Sequence, residues 1–323
     1  MSRIDMAELI RCARIPLELN VKAGEDVLIL ADTTTEEDLP KAMAAAAREV
    51  GAEPTVLVME TRPAPNLEPS RAAAGAMKSA AVLVMMASQP ITHTEALRTA
   101  LGVGVKYISM PMLTIDSLTQ GAATADPREL FAVTERVATL LTEASSARVV
   151  SDEGTDVTMD LRGRSGIVLG GLCIPGKTTG GFPHGEAPVA PVEESTTGTI
   201  VFDTTMNPIG RLSQPVVLRV QSGRITRIEG GAEADKLRDL LASKGDANSY
   251  MIGEFAIGTN PKARITGNMS EDKRGIGTVH FGIGDNATLG GKVRAAIHLD
   301  GLIRRPTVTL DGKVVVENGE LKL

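Results

Sequence analysis

A chain of 323 residues with 42 % hydrophobic and 23 % charged side chains has the balance of a folded globular protein, and its length suggests two domains. A net charge of −6 argues against a nucleic-acid partner, because binding phosphates needs a basic face; with no Trp, two Tyr and five Phe, platforms for stacked bases are few. No apolar run nears the roughly 20 residues that cross a bilayer, and the N-terminal stretch MSRIDMAELIRCARIPLEL mixes charges into its apolar pattern, so neither a membrane partner nor a signal peptide is expected.

The first half alternates helices and strands. Residues 5–21 place Met6, Leu9, Ile10, Ala13 and Leu17 on one helical face. GEDVLILAD follows as a short buried strand, EEDLPKAMAAAAREVGA as a helix stopped by Gly51, and TVLVME as the next strand. SRAAAGAMKSA is helical, AVLVMMA a third strand, HTEALRTALGVG a helix and KYISMP a fourth strand. PRELFAVTERVATLLTEAS closes the series as a long amphipathic helix. Apolar strands separated by helices imply a parallel sheet covered on both faces, hence a doubly wound α/β domain over residues 1–147. The turn after the first strand reads DTTTEEDL in place of GxGxxG, which disfavours a dinucleotide site.

The second half, residues 148–323, is a β-rich α+β domain. VVSDEGTDVTMDL, GTIVFDTTM, PVVLRVQSGRITRIEG and RPTVTLDGKVVVENGELKL are short strands broken by turn residues, with hairpins at QSGR and LDGK. AEADKLRDLLASKG is its clear helix, and the Gly/Pro-rich stretch 162–195 is long enough to be a functional loop. Cys12 and Cys173 lie far apart in different halves, so a reducing, cytoplasmic setting is the simpler expectation.

Only four histidines occur, so their neighbours are informative. In IHLDGL, His298 and Asp300 stand two apart and share one face of a strand, offering an imidazole nitrogen and a carboxylate oxygen to Zn, Mn, Fe or Co. His280 sits in TVHFGIGDN, a strand entering a turn. Glu254 sits inside the otherwise apolar IGEFAIG, where a lone carboxylate needs a cation or a proton. Glu186 lies in GGFPHGEAPVAP with His184 two residues before it; His184 is a candidate general acid or base. Lys273, Arg274 and Arg294 are candidates to clamp a substrate anion, whereas His93 reads as a capping or surface residue of a helix start. Together these segments suit one or two divalent ions.

The order of GTDVTMDL, FPHGEAPVAP, GEFAIGTNP, TVHFGIGDN and HLD resembles the metal-dependent aminopeptidase T/S family. That resemblance implies an N-terminal α/β domain joined to a metal-binding domain, with a pair of divalent ions (Zn, Mn or Co) held by Glu186, Glu254, His280, His298 and Asp300. It also implies a homodimer or higher homo-oligomer and a catalytic part for Glu186. Two positions differ: Gly185 stands where that family has an acidic residue, and GIGDNATLGG after His280 lacks its tyrosine. The segment from GG to HLD and the ending PTVTLDGKVVV look closer to 2,5-dihydroxypyridine 5,6-dioxygenase, an iron(II) enzyme of the same fold. Its iron is held by two His and one Asp; His298 and Asp300 match two of these, and Glu254 occupies the position of the third. The leading expectation is therefore a hydrolase cleaving an amide bond of a small molecule or short peptide. The alternatives are an Fe(II) ring-cleaving dioxygenase of a hydroxylated N-heterocycle and a non-catalytic metal-binding protein.

Overall fold

The computed structural model describes residues 5–92, 94–173 and 179–323. The chain forms two compact units: Met1–Pro127 with Gly170–His184, and Arg128–Leu169 with Gly185–Leu323.

The first unit is built on parallel strands in the order Glu53–Met59, Asp26–Asp32, Val82–Met85, Lys106–Ser109 and Thr179–Gly181. Alternation along each strand feeds two cores. Val27, Ile29, Val82, Val84 and Ile108 pack with Leu9, Ala13, Leu17, Leu39 and Met43 of helices Met6–Asn20 and Asp38–Glu49. Leu28, Leu30, Leu83, Met85 and Tyr107 pack with Met77 and Leu97 of helices Arg71–Met77 and Glu95–Gly102. The expected doubly wound α/β arrangement is thus present. The strand Glu53–Met59 lies at the sheet edge, which leaves Val56 and Val58 exposed in a sheet expected to be covered on both faces.

Asp32 ends the first strand, where the DTTTEEDL turn begins. Its Oδ1 accepts from the amides and hydroxyls of Thr34 and Thr35 at 2.9–3.1 Å, and its Oδ2 from the Ser88 amide and hydroxyl at 2.8 and 2.6 Å. Burial pushes this carboxyl up, but the donors of Ser88 and Thr34 outweigh it and hold the group below the usual carboxylate value.

The second unit holds two antiparallel sheets around one apolar core. One runs in the order Arg224–Glu229, Val216–Gln221, Thr197–Phe202, Asp156–Asp160, Ser146–Val150, Thr307–Leu310, Lys313–Glu317, Glu320–Leu321. The other runs Gly210–Arg211, Thr205–Met206, His298–Ile303, Val279–Gly284, Ile252–Gly258, Glu186–Val189. The two expected hairpins carry positive φ at Ser222 (49°) and Gly223 (72°), and at Asp311 (46°) and Gly312 (85°), as tight two-residue loops require.

The long helix Pro127–Glu143 falls in this second unit, from Arg128 onward, whereas a boundary at 147/148 had assigned it to the first. Its buried face meets the β-rich core: Val137, Ala138 and Leu141 join that cluster, and the Thr134 hydroxyl lies 2.7 Å from that of Thr259. Residues 170–184 return to the first unit and add its last strand, so the stretch read as one long loop divides between the units. Among the described residues no helix is long and apolar enough to cross a membrane.

Candidate metal centre

Four adjacent strands of the smaller sheet place their polar residues on one face. Glu254 pairs with Gly282, and Gly282 with Asp300, so the two carboxylates flank a glycine in a single cross-strand row. His280 lies opposite Ala256, His298 opposite Gly284, and Glu186 opposite Gly258. The period of two sends the intervening residues to the other face, where the Phe255 and Phe281 rings stack at 5.6 Å in the core.

Gly282 creates the space for this arrangement. A Cβ there would sit 2.7 Å from Glu254 Cβ and 2.9 Å from His298 Cε1. Gly258 serves the neighbouring row, since its Cβ would meet the Gly275 carbonyl at 2.1 Å. Its bareness lets the Lys273–Gly275 segment cross closely over the sheet.

The result is a buried cluster. Ligand atoms of Glu254, His280 and Asp300 lie within 4.8 Å of one another. His280 Nε2 is 3.1 Å from Glu254 Oε1 and 3.9 Å from Glu186 Oε2. His298 Nε2 is 3.1 Å from Glu254 Oε2 and 3.2 Å from Asp300 Oδ1. His298 Nδ1 donates to the Asp285 carbonyl at 2.6 Å; because a carbonyl only accepts, this fixes the tautomer and turns Nε2 toward the carboxylates.

Charge compensation inside the cluster is strong. Burial pushes Glu254 up, but hydrogen bonds from His280 and His298 prevail and bring its carboxyl down to about 2. Burial likewise opposes ionisation of Asp300, yet Lys273 and His298 hold it well below the usual carboxylate range. His298 is driven well above an ordinary imidazole: burial works against the shift, and Asp300 and Glu254 overcome it. The His298 imidazolium and the Lys273 ammonium here neutralise carboxylates that would otherwise be untenable in a buried site.

Lys273 and Arg274 are held in place by a dedicated anchor. Asn268 caps the short helix Met269–Asp272 by accepting from the Ser270 amide at 3.0 Å. Glu271 receives Arg264 Nε and Nη2, both at 3.0 Å, while Asp272 accepts from the Thr205 hydroxyl at 2.6 Å and the Thr266 and Gly267 amides at 2.7 and 2.8 Å. Lys273 Nζ then reaches Asp300 Oδ2 at 3.1 Å and Glu186 Oε2 at 3.4 Å, and Arg274 Nη2 reaches Glu186 Oε1 at 3.8 Å. Both cations, expected to clamp a substrate anion, already face carboxylates of the protein itself.

The structure therefore gathers Glu186, Glu254, His280, His298, Asp300, Lys273 and Arg274. Arg294 is exposed, and only its backbone carbonyl enters a described contact, accepting from Asn248 Nδ2 at 2.9 Å. His184 is buried in the first unit, with Nδ1 against the Gly181 carbonyl and its ring edge-on to Phe182 at 4.8 Å. His93 lies outside the described residues. Sequence reasoning did not single out Gly282, Gly258, the Glu271–Asp272 anchor or the Asp285 carbonyl.

The donors fit a divalent metal. Glu186 Oε2 and Asp300 Oδ1 are buried without a hydrogen bond, a cost that a cation would remove. Mixed imidazole and carboxylate donors match the preference of first-row metals such as zinc, manganese and iron(II).

A family model described as "NicX: 2,5-dihydroxypyridine 5,6-dioxygenase" matches residues 8–323. A 2,5-dihydroxypyridine 5,6-dioxygenase of Pseudomonas putida is 30 % identical over 200 residues, covering 57 % of this chain and 56 % of that one, so the alignment spans little more than half of that relative. The solved 2,5-dihydroxypyridine dioxygenase from Pseudomonas putida KT2440 superposes with a TM-score of 0.85 at 24 % identity, over 99 % of this chain and 98 % of the other. Wild-type AmpT from Thermus thermophilus superposes with a TM-score of 0.69 at 15 % identity, over 98 % and 99 %. At such identities the two superpositions speak for the fold alone. The family match overturns the expectation of an aminopeptidase-like hydrolase: the aminopeptidase T likeness is a distant structural one.

Proposed function

Because the chain belongs to the 2,5-dihydroxypyridine 5,6-dioxygenase family, we propose that it is an iron(II)-dependent dioxygenase that opens a hydroxylated N-heterocycle of the dihydroxypyridine class. The observation that supports this most is the convergence of His280, His298, Glu254 and Asp300 on one sheet face, which offers two imidazoles and a carboxylate as iron ligands, the facial arrangement of non-haem oxygenases. Glu254 supplies a second carboxylate at the same place, where the resemblance puts a histidine. Iron(II), when bound, supplies the electrons through which O₂ reacts with a closed-shell aromatic ring.

The chain's own residues prepare the site. His298 is held in one tautomer by the Asp285 carbonyl, so its Nε2 is presented as a donor. Lys273 and Arg274 offset the charge of Asp300 and Glu186, which lowers the repulsion met by a substrate whose ring hydroxyl is ionised. The free Cys12 and Cys173 suit a cytoplasmic enzyme.

The test is direct. Protein loaded anaerobically with Fe(II) should consume oxygen and bleach the ring absorbance of 2,5-dihydroxypyridine, whereas metal-free protein should do neither. Iron-loaded, folded protein that consumes no oxygen with any dihydroxypyridine would sink the reading.

A further inference from the structure

Five ligand-type side chains on one face offer more donors than one ion needs, since a facial triad uses three. The surplus is explained by where the cations lie. Asp300 divides its oxygens: Oδ1 faces His298 Nε2 at 3.2 Å, and Oδ2 faces Lys273 Nζ at 3.1 Å. A carboxylate that bridges two metal ions divides its oxygens in the same way, one to each ion. Here the ammonium stands on the second side, and it also meets Glu186 Oε2 at 3.4 Å. We infer that Lys273 fills the second cation position of this centre, so that the chain holds one divalent ion where its ligand set would otherwise accept two.

Two further observations carry this. Lys273 is not a loose surface residue: its side chain is 18 % exposed and it follows directly on the Glu271–Asp272 anchor, whose acceptors are occupied by Arg264, Thr205, Thr266 and Gly267. The charges also count in its favour. Imidazoles that ligate a metal give up their extra proton, so in the loaded site the three carboxylates face two fixed cations, Lys273 and Arg274; one dication leaves a single positive charge, whereas two would leave three in a buried site. Glu186, bracketed by Lys273 and Arg274, is thereby turned from a metal ligand into the partner of an internal ion pair.

The inference rests on the reading that this cluster holds a metal, and its test counts ions without needing turnover. Protein loaded with excess Co(II) or Mn(II) under anaerobic conditions, then desalted, is analysed for metal per folded chain. The wild type should hold one ion, Lys273→Gln two, Lys273→Arg one, and the double variant Lys273→Gln/Glu186→Gln one again. A visible Co(II) absorption spectrum should gain a second component in Lys273→Gln alone. Two ions in the wild type, or one in folded Lys273→Gln, overturns the inference and leaves the dioxygenase reading standing. No ion in the wild type overturns both. If Lys273→Gln does not fold, Co(II) titration of the wild type decides: a second ion of comparable affinity refutes the role given to Lys273. Failure to oxidise dihydroxypyridines with these ion counts intact removes only the functional reading.

Discussion

Asp32 in the first unit and Asp300 in the second are both buried carboxylates on strands, 2 % and 5 % exposed, and both titrate below the ordinary value. Their partners differ in kind. Asp32 is satisfied by amides and hydroxyls of Thr34, Thr35 and Ser88, neutral donors that settle its charge within the fold. Asp300 is balanced in charge by Lys273 and His298, which it shares with other carboxylates, while its Oδ1 stays without a hydrogen bond. A carboxylate saturated by neutral donors has no capacity left for a metal. One balanced by protons and an ammonium can exchange a proton for a metal ion, so the first setting is structural and the second is chemical.

The largest break in this comparison should come from Glu254→Gln, which keeps the shape and removes the charge shared by His280 and His298. Bound iron, read by metal analysis, should fall by more than the roughly 100-fold that outer-sphere changes reach. Retained iron in a folded variant would remove Glu254 from the ligand set. Gly282→Ala comes next: it adds no charge, yet its methyl presses on Glu254 Cβ and His298 Cε1. We expect metal affinity to drop by about 10–100-fold, with a stability cost of about 1–3 kcal/mol from overpacking. Unchanged affinity in a chelator competition would show that the row has slack.

Asp32→Asn should do the reverse, lowering stability and leaving metal content alone. Loss of charge-assisted hydrogen bonds costs about 2 kcal/mol at neutral pH. Since folding holds Asp32 below its ordinary value of 3.8, its contribution is fully present above that pH and is lost as pH falls through the lower folded value. Denaturant unfolding of wild type and variant should therefore converge in acid; a gap that widens there would contradict this account. The smallest effect concerns a thiol, Cys173, whose Sγ donates to the Tyr107 carbonyl at 3.8 Å and whose titration is governed by burial. Burial pushes the Cys173 thiol up to about 11 from 9.0, which leaves about 100-fold less thiolate at pH 8. Iodoacetamide should leave Cys173 unlabelled while a free thiol reacts fully, and rapid labelling of native protein would show the site to be open.

Much of the fold was legible because strand and helix periods are local signals. The two cores of the first unit follow the alternation in DVLILAD and VLVM, and both hairpin turns stand at QSGR and LDGK. The unit boundary was not legible. Helix Pro127–Glu143 takes its partners from afar, with Thr134 meeting Thr259, and no local pattern records that. His298 and Asp300 were visible through their spacing of two, and Glu254 as a charge inside an apolar strand. Lys273 read as a clamp for a substrate anion because no local pattern shows which carboxylates it meets, and only the crossing over Gly258 reveals its setting. The chemistry was misjudged for a different reason. Ligand types are shared between hydrolytic and oxidative centres, and the missing tyrosine and the glycine at 185 were the residues that pointed away from hydrolysis.

The cross-strand row has a consequence for how the protein comes to exist. The row and Glu186 beside it draw on four strands that begin at Glu186, Ile252, Val279 and His298, and no two of those strands are joined by a tight turn. Such pairings form late, because long loops must close before any contact rewards them. The centre is therefore assembled by completed folding and cannot template it. A metal ion bound at this centre would act as a clasp closed over a finished sheet, favouring the folded chain by mass action without hastening its birth.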